Sequence, residues 1–210
     1  MSGPRLTHFP FPPHPERQPD SPGIHYGKSS LLPPGMIYLM PVDYQNEWFD
    51  VVDRNDEVIG RERRPIVHRD GLLHRAVHGF VFNDPGHLFL QKRSMAKDNF
   101  PGTWDSSFSG HVDAGETYDQ AVIREAHEEI GISLEKVPAK ITKIDACQET
   151  GLEFTWLYSL VHNGPFVLHP QEIDEGRWVS IPDLEDWIQR NPDDFAPSFL
   201  CCWRHFKKLT

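Results

Sequence analysis

Cysteine is scarce in this 210-residue chain: Cys147, Cys201 and Cys202 are the whole supply. An odd count with two neighbours is no disulfide framework, and the absence of a Cys-x-x-Cys pair removes the usual spacing for structural zinc. Such usage leads one to expect a reduced, cytoplasmic protein. Long apolar runs are also missing. No window approaches the roughly 18 to 20 apolar residues that span a bilayer, so no membrane partner is expected. The opening Met-Ser-Gly-Pro-Arg runs into prolines and not into an apolar segment, so a secretory signal is not expected either. Positive charge is in short supply: 21 Lys+Arg face 31 Asp+Glu, a net charge of −10. That balance argues against a nucleic-acid polymer as partner, because a polymer needs a basic face.

What is present suits a folded domain. Hydrophobic residues make up 38% and aromatics 11%, enough for a packed core. Residues 1–45 stand apart, because ten of the 19 prolines fall between Pro4 and Pro41. Proline fixes φ and removes a backbone donor, so this stretch reads as an extended arm and not as strand or helix interior. Covering a pocket, docking on a second subunit as a homodimer, and having no role are all open to it. Residues 46–210 read as the domain proper.

Within that domain, Glu47–Asp53 and Glu57–Arg61 read as paired strands around an Arg54-Asn55-Asp56 turn. Val77–Phe82 and His87–Gln91 read as two more around Asn83-Asp84-Pro85-Gly86, with a further strand at Phe108–Val112. Residues between the two pairs read as a linker. Thr117-Tyr118-Asp119-Gln120 has the form of a capping box. It predicts a helix over Tyr118–Ile130 that stops at Gly131, with Val122, Ala126 and Ile130 as its apolar stripe. Strands follow at Ile141–Ala146 and Phe154–His162, with a short one near Trp178–Ile181. Helices are expected at Leu184–Arg190 and Ser198–Lys208. Strands before, between and after helices predict one α/β or α+β domain with a mixed sheet.

The helix at Tyr118–Ile130 carries unusual charge. Between Gly110 and Gly131 stand six acids (Asp113, Glu116, Asp119, Glu125, Glu128, Glu129) and one base, Arg124. Glu125, Glu128 and Glu129 are related by i+3 and i+4, so one helix face should carry all three, turned away from the apolar stripe. Like charges at that spacing repel, and the last turns of a helix disfavour anions. Arg124 can pair with Glu128 at i+4 but cannot neutralise the whole set. Spacing alone leaves two readings: a solvated acidic face, or hard oxygen ligands for Mg²⁺ or Mn²⁺.

Gly110, five residues, Glu116, seven residues, then Arg124-Glu125-Ala126-His127-Glu128-Glu129-Ile130-Gly131 resembles the Nudix box. That signature belongs to enzymes that hydrolyse a diphosphate linked to another group. Ala126 departs from it, standing where a larger aliphatic residue is usual. The resemblance implies an α/β/α sandwich with a mixed central sheet, and Mg²⁺ (or Mn²⁺) as cofactor. It implies Gly110, Glu116, Glu125, Glu128 and Glu129 as metal residues, with Arg124 orienting the carboxylates. One of the glutamates would be the base, and Glu128 and Glu125 are the candidates inside the box. Glu172, six residues before Trp178, resembles a base supplied from outside the box, or is a surface loop residue. The implied substrate is a small-molecule diphosphate, such as a nucleoside diphosphate derivative.

Residues from about Glu47 to His205 are similar to one branch of that superfamily, the type I isopentenyl-diphosphate isomerases and their hydrolase-like relatives. The similarity rests on His68, Leu72-Leu73-His74-Arg75, Gln91-Lys92-Arg93-Ser94, Lys97, Pro101–Asp105, Ser109-Gly110-His111 and Phe195–Ser198. It implies metal binding by His68, His74 and His111, and diphosphate binding by Arg93 and Lys97. Each of these is open to a plainer reading as an ordinary polar or surface residue. Two isomerase positions differ. Ser109 stands where the isomerases have cysteine, and a hydroxyl is a far weaker acid than a thiol. Gly151-Leu152-Glu153 keeps one carboxylate of a Glu-x-Glu pair. Isomerisation and non-catalytic nucleotide binding are therefore alternatives to hydrolysis, and hydrolysis is the leading expectation.

Overall fold

The computed structural model describes residues 46–209, so the arm expected at 1–45 lies outside the described residues. Strands β1 (Trp48–Val52) and β2 (Val58–Arg63) form an antiparallel two-stranded ribbon. The Asp53 carboxylate accepts from the Asn55 and Glu57 backbone N–H groups and closes the turn between them. The stretch read as a linker instead holds a short helix, α1 (Arg64–Asp70). Pro65 in its first turn costs no internal hydrogen bond, and Gly71 takes the left-handed conformation that ends it.

The main sheet contains β3 (His74–Phe82), β4 (Leu88–Arg93), β5 (Trp104–Asp105), β6 (Phe108–His111), β7 (Ala139–Ile144), β8 (Glu153–Val161) and β9 (Ile173–Val179). It is mixed, as the order of elements predicts. β3 runs parallel to β8 over nine residues and antiparallel to β6, and β7 pairs antiparallel with β8. β4 meets β3 at the Phe82–Leu88 pair, then pairs with β5 and β9. Beyond the hairpin the two halves of the sheet part, and β6 enters beside β3.

Alternation along the strands fills two cores. Val77, Val81, Phe89 and Tyr158 face helix α2 (Tyr118–Ile130), which contributes Ala121, Val122, Ala126 and Ile130. Phe80, Leu88, Leu90 and Leu157 face the other way, onto Leu184 of α3 (Ile181–Arg190) and Phe199, Cys202 and Trp203 of α4 (Pro197–Lys207). Helices on both faces of a mixed sheet make an α/β/α sandwich. Ala126 is fully buried and part of the α2 stripe. Among the described residues no helix is long and apolar enough to cross a membrane.

Helix α2 starts and ends as its sequence requires. Thr117 accepts from the Gln120 backbone N–H, and Gln120 accepts in return from the Thr117 N–H at 2.9 Å. Gly131 ends it with φ 71°. This fixed start, together with β6 behind it, sets the position of every acidic group described next.

Candidate active site

Strand β6 runs alongside α2 so closely that Gly110 has no room for a side chain. A Cβ there would lie 2.0–2.5 Å from the carboxylate atoms of Glu125. The glycine is thus required by close approach and not by its backbone angles. Next to it, the Ser109 backbone N–H donates to Glu129 Oε2 at 2.8 Å, and Gln91 Nε2 donates to the same oxygen at 3.1 Å.

Arg124 binds the loop to the helix. Its guanidinium donates to both oxygens of Glu116 (3.1 and 2.9 Å), to Glu125 Oε1 (2.7 Å), to Glu128 Oε2 (3.0 Å) and to the His111 carbonyl (2.9 Å). Glu116 in turn accepts from the Asp113 N–H. One planar fork thus organises three carboxylates and a strand end, which a point-charge ammonium could not do.

The three helix glutamates do not share one environment. Glu125 and Glu129, one turn apart, are buried with the apolar residues of α2, whereas the Glu128 side chain is 54% exposed. Of the two readings open to these glutamates, a wholly solvated face does not describe the structure. β6 covers the 125/129 edge, and only Glu128 stays at the surface. Burial pushes the Glu125 carboxyl well above its ordinary range, against the pull of Arg124. Glu129 is pushed up to about 7, by burial first, with Lys97 pulling down and Glu172 pushing up. In both cases burial outweighs the nearby cations, Arg124 at Glu125 and Lys97 at Glu129.

Glu172 is buried beside β4 and forms an ion pair with Lys97, and its backbone carbonyl accepts from the Ser94 N–H. Arg93 donates to Asp105 Oδ2 at 3.0 Å and to the Asn99 carbonyl. Arg93, Lys97 and Glu172 all act electrostatically on Glu129, so they border the buried end of the box. Gln91 and Asp105 lie in segments that carry the resemblance but have no role assigned there, and the structure joins them to Glu129 and Arg93. Gln91 shares a face of β4 with Arg93 by strand alternation, and that signal could have found it.

A second cluster lies on the other side of Gly110. Ring nitrogens of His68, His74 and His111 lie within 4.8 Å of one another. Glu153 Oε1 is 3.1 Å from His111 Nε2 and 3.4 Å from His74 Nε2. Phe49 stacks on His74 and His111, with centroids at 5.5 and 4.4 Å. His74 Nδ1 is 2.9 Å from the Leu72 carbonyl, which orients its Nε2 inward. Burial lowers His68 to about 4 and His111 to about 3, so both are neutral near pH 7. Burial raises Glu153, but His111 and His74 outweigh it and hold the carboxyl well below the usual range. Among the described residues, the buried side-chain atoms without a hydrogen-bond partner are His68 Nε2, His74 Nε2 and Gln91 Oε1. All three belong to these two clusters. Buried polar atoms without partners are costly, and ordered water, a cation or a substrate group can supply the missing contact.

The family model for the NUDIX domain matches residues 72–199. The chain belongs to the Nudix family. It is 42% identical over 163 residues to an uncharacterized Nudix hydrolase of Streptomyces coelicolor, covering 77% of this chain and 89% of that one. It is 34% identical over 158 residues to an isopentenyl-diphosphate Δ-isomerase of Serratia proteamaculans, covering 74% and 88%. A Deinococcus radiodurans crystal structure superposes with a TM-score of 0.61 at 30% identity, over 69% of this chain and 90% of that one. Membership in the Nudix family supports a hydrolase, and the mixture of hydrolase and isomerase relatives matches the branch that the sequence resembles.

Proposed function

We propose that this Nudix protein hydrolyses a phosphoanhydride in a small-molecule diphosphate, such as a nucleoside diphosphate derivative, with Mg²⁺ or Mn²⁺ as cofactor. The observation that carries the reading is the buried Glu125–Glu129 pair pressed against Gly110, with Arg124 fixing its outer edge. The donor set is hard oxygen, and Arg124 is shared among Glu116, Glu125 and Glu128 and so cannot neutralise them all. The set therefore fits a divalent cation. The Gly110 carbonyl, Glu125, Glu128 and Glu129 would hold the cation, with Glu116 supporting them through Arg124. A bound divalent cation supplies charge neutralisation at the diphosphate oxygens and Lewis acidity.

The chain's own groups do the rest. Arg93 and Lys97 supply fixed positive charge for diphosphate oxygens, and Asp105 and Glu172 hold them in place until substrate arrives. Arg124 keeps Glu125 and Glu128 oriented. Glu125, Glu128 and Glu172 are the candidate proton acceptors for the attacking water, with Glu172 held beside Lys97. The imidazole cluster with Glu153 suits a second metal with nitrogen ligands.

The test is a panel of nucleoside diphosphate derivatives in Mg²⁺ or Mn²⁺, read by released product. Glu125→Gln and Glu128→Gln should each lower kcat roughly 10²–10⁴-fold. Equal turnover in the wild type and both variants would remove the box from the reaction. Isomerisation has a specific observation against it, since Ser109 replaces the thiol, and no interconversion of five-carbon allylic diphosphates is expected.

A further inference from the structure

The sequence offers no Cys-x-x-Cys pair, yet folding brings together two cysteines that lie 54 positions apart (201 − 147). The Cys147 and Cys201 sulfurs and a Glu149 carboxylate oxygen all lie within 4.8 Å of one another. They meet where the turn before β8 crosses α4, on the α3/α4 side of the sheet, away from the glutamates and imidazoles already described. We propose that Cys147, Cys201 and Glu149 form a binding site for a thiophilic divalent cation of the Zn²⁺ class, with the fourth position open to water.

The chemistry of the donors fits. Thiolate sulfur and carboxylate oxygen are both zinc donors, and a tetrahedral ion with Zn–S near 2.3 Å holds two sulfurs roughly 3.8 Å apart. From a ceiling of 4.8 Å, the ligands need to close by no more than about 1 Å. The turn is built to hold that geometry. The buried Thr150 hydroxyl accepts from the Cys147 N–H and donates to its carbonyl, both at 3.0 Å. Gly151 and Leu152 both take positive φ, which bends the chain sharply into β8. Arg204 of α4 donates to Glu149 Oε2 at 2.6 Å and draws the carboxylate over the helix. A carboxylate has two oxygens, so this pair leaves capacity for a metal. His205 Nδ1 stands 3.9 Å from the Cys201 sulfur and is a polar neighbour for a thiolate. Cys202 points into the core and takes no part. A filled site would clamp α4 to the turn that delivers Glu153 to the imidazole cluster.

Cobalt reports directly on sulfur ligation. The full chain, reduced and stripped with chelator, is titrated with Co²⁺ and read for the near-ultraviolet thiolate-to-cobalt band. Oxygen and imidazole sites give no such band, so neither the glutamates nor the histidines can mimic it. The expected result is a band that saturates, disappears on adding excess Zn²⁺, is lost in Cys147→Ser and persists in Cys202→Ala. Glu149→Gln should keep the band and weaken Zn²⁺ roughly tenfold or more. Absence of the band in folded wild type overturns the proposal, whatever the variants do, and so does its survival in Cys147→Ser. Hydrolysis is not read in this experiment, so its outcome is independent of the proposed activity.

Discussion

Replacing Gly110 by alanine adds a single methyl group at the point where β6 and α2 are closest. The three atoms nearest that methyl all belong to the Glu125 carboxylate, at 2.0, 2.1 and 2.5 Å. A real contact cannot be that short, so Glu125 must leave the Arg124 Nη1 that it meets at 2.7 Å, or β6 must move. Overpacking of this kind costs about 1–3 kcal/mol. For a domain of this size 2 kcal/mol corresponds to a Tm about 4–8 °C lower. The assay is thermal unfolding of four proteins: wild type, Gly110→Ala, Glu125→Ala and the double variant. Once the carboxylate is gone, the added methyl meets none of its three closest neighbours. Gly110→Ala should then cost little on the Glu125→Ala background, a coupling of about 2 kcal/mol in the double-mutant cycle. Activity should be lost in all three variants, because the double change restores fit without restoring the carboxylate. Strictly additive Tm shifts, or a Gly110→Ala protein as stable as wild type, would refute the claim that the glycine exists to admit Glu125.

Other outcomes follow from the same structure. Arg93→Ala should raise KM more than it lowers kcat, with kcat/KM down roughly 10- to 100-fold, the value of one hydrogen bond to a charged group; steady-state kinetics on any turned-over diphosphate checks this. Asp56 is buried and receives Arg75 Nε at 2.6 Å, the Tyr118 hydroxyl at 2.9 Å and Lys143; Asp56→Ala should cost about 3 kcal/mol by stranding those partners, measured by urea unfolding. His78 is buried with its Nδ1 2.7 Å from Ser106 Oγ, and burial lowers its affinity for protons. Its folded value lies below the unfolded one, so the stability it protects is fully present above about pH 6.5 and is lost as pH falls. The stability of the chelator-treated protein should fall below that pH by up to about 1.4 kcal/mol per unit for this group, and His78→Gln should flatten the slope.

Much of the fold was legible because local rules decided it. Thr117, Gln120 and Gly131 mark both ends of α2, and apolar runs, with a turn between the first two, mark β3, β4 and β8. Helix α1 was not legible. It is seven residues long, has one buried side chain, Val67, and is shaped by Pro65 and Gly71 more than by periodicity. β5 is only two residues and exists because β4 offers it an edge. The start of β9 at Ile173 was hidden because Asp174, Glu175 and Gly176 give no apolar alternation; Gly176 is there to admit the Phe89 ring. In the candidate site, residue identities were readable but their environments were not. Helical spacing puts Glu125, Glu128 and Glu129 together, but cannot show that β6 covers two of them and leaves the third in water. The pairing of Arg93 with Asp105 crosses from β4 to β5, and no sequence period encodes it.

The parallel ladder between β3 and β8 bears on the order of folding. Every rung joins residues 79 positions apart, from His74 with Glu153 to Phe82 with Val161. The chain must pay the entropy of closing that loop before the first rung returns anything. Helix α2 lies inside the loop and can form from its own capping signals while the loop is still open. The ends of the acidic helix are therefore set by local signals that do not depend on that closure. The histidine–Glu153 cluster straddles the first rung of the ladder and can assemble only when that long-range pairing has closed.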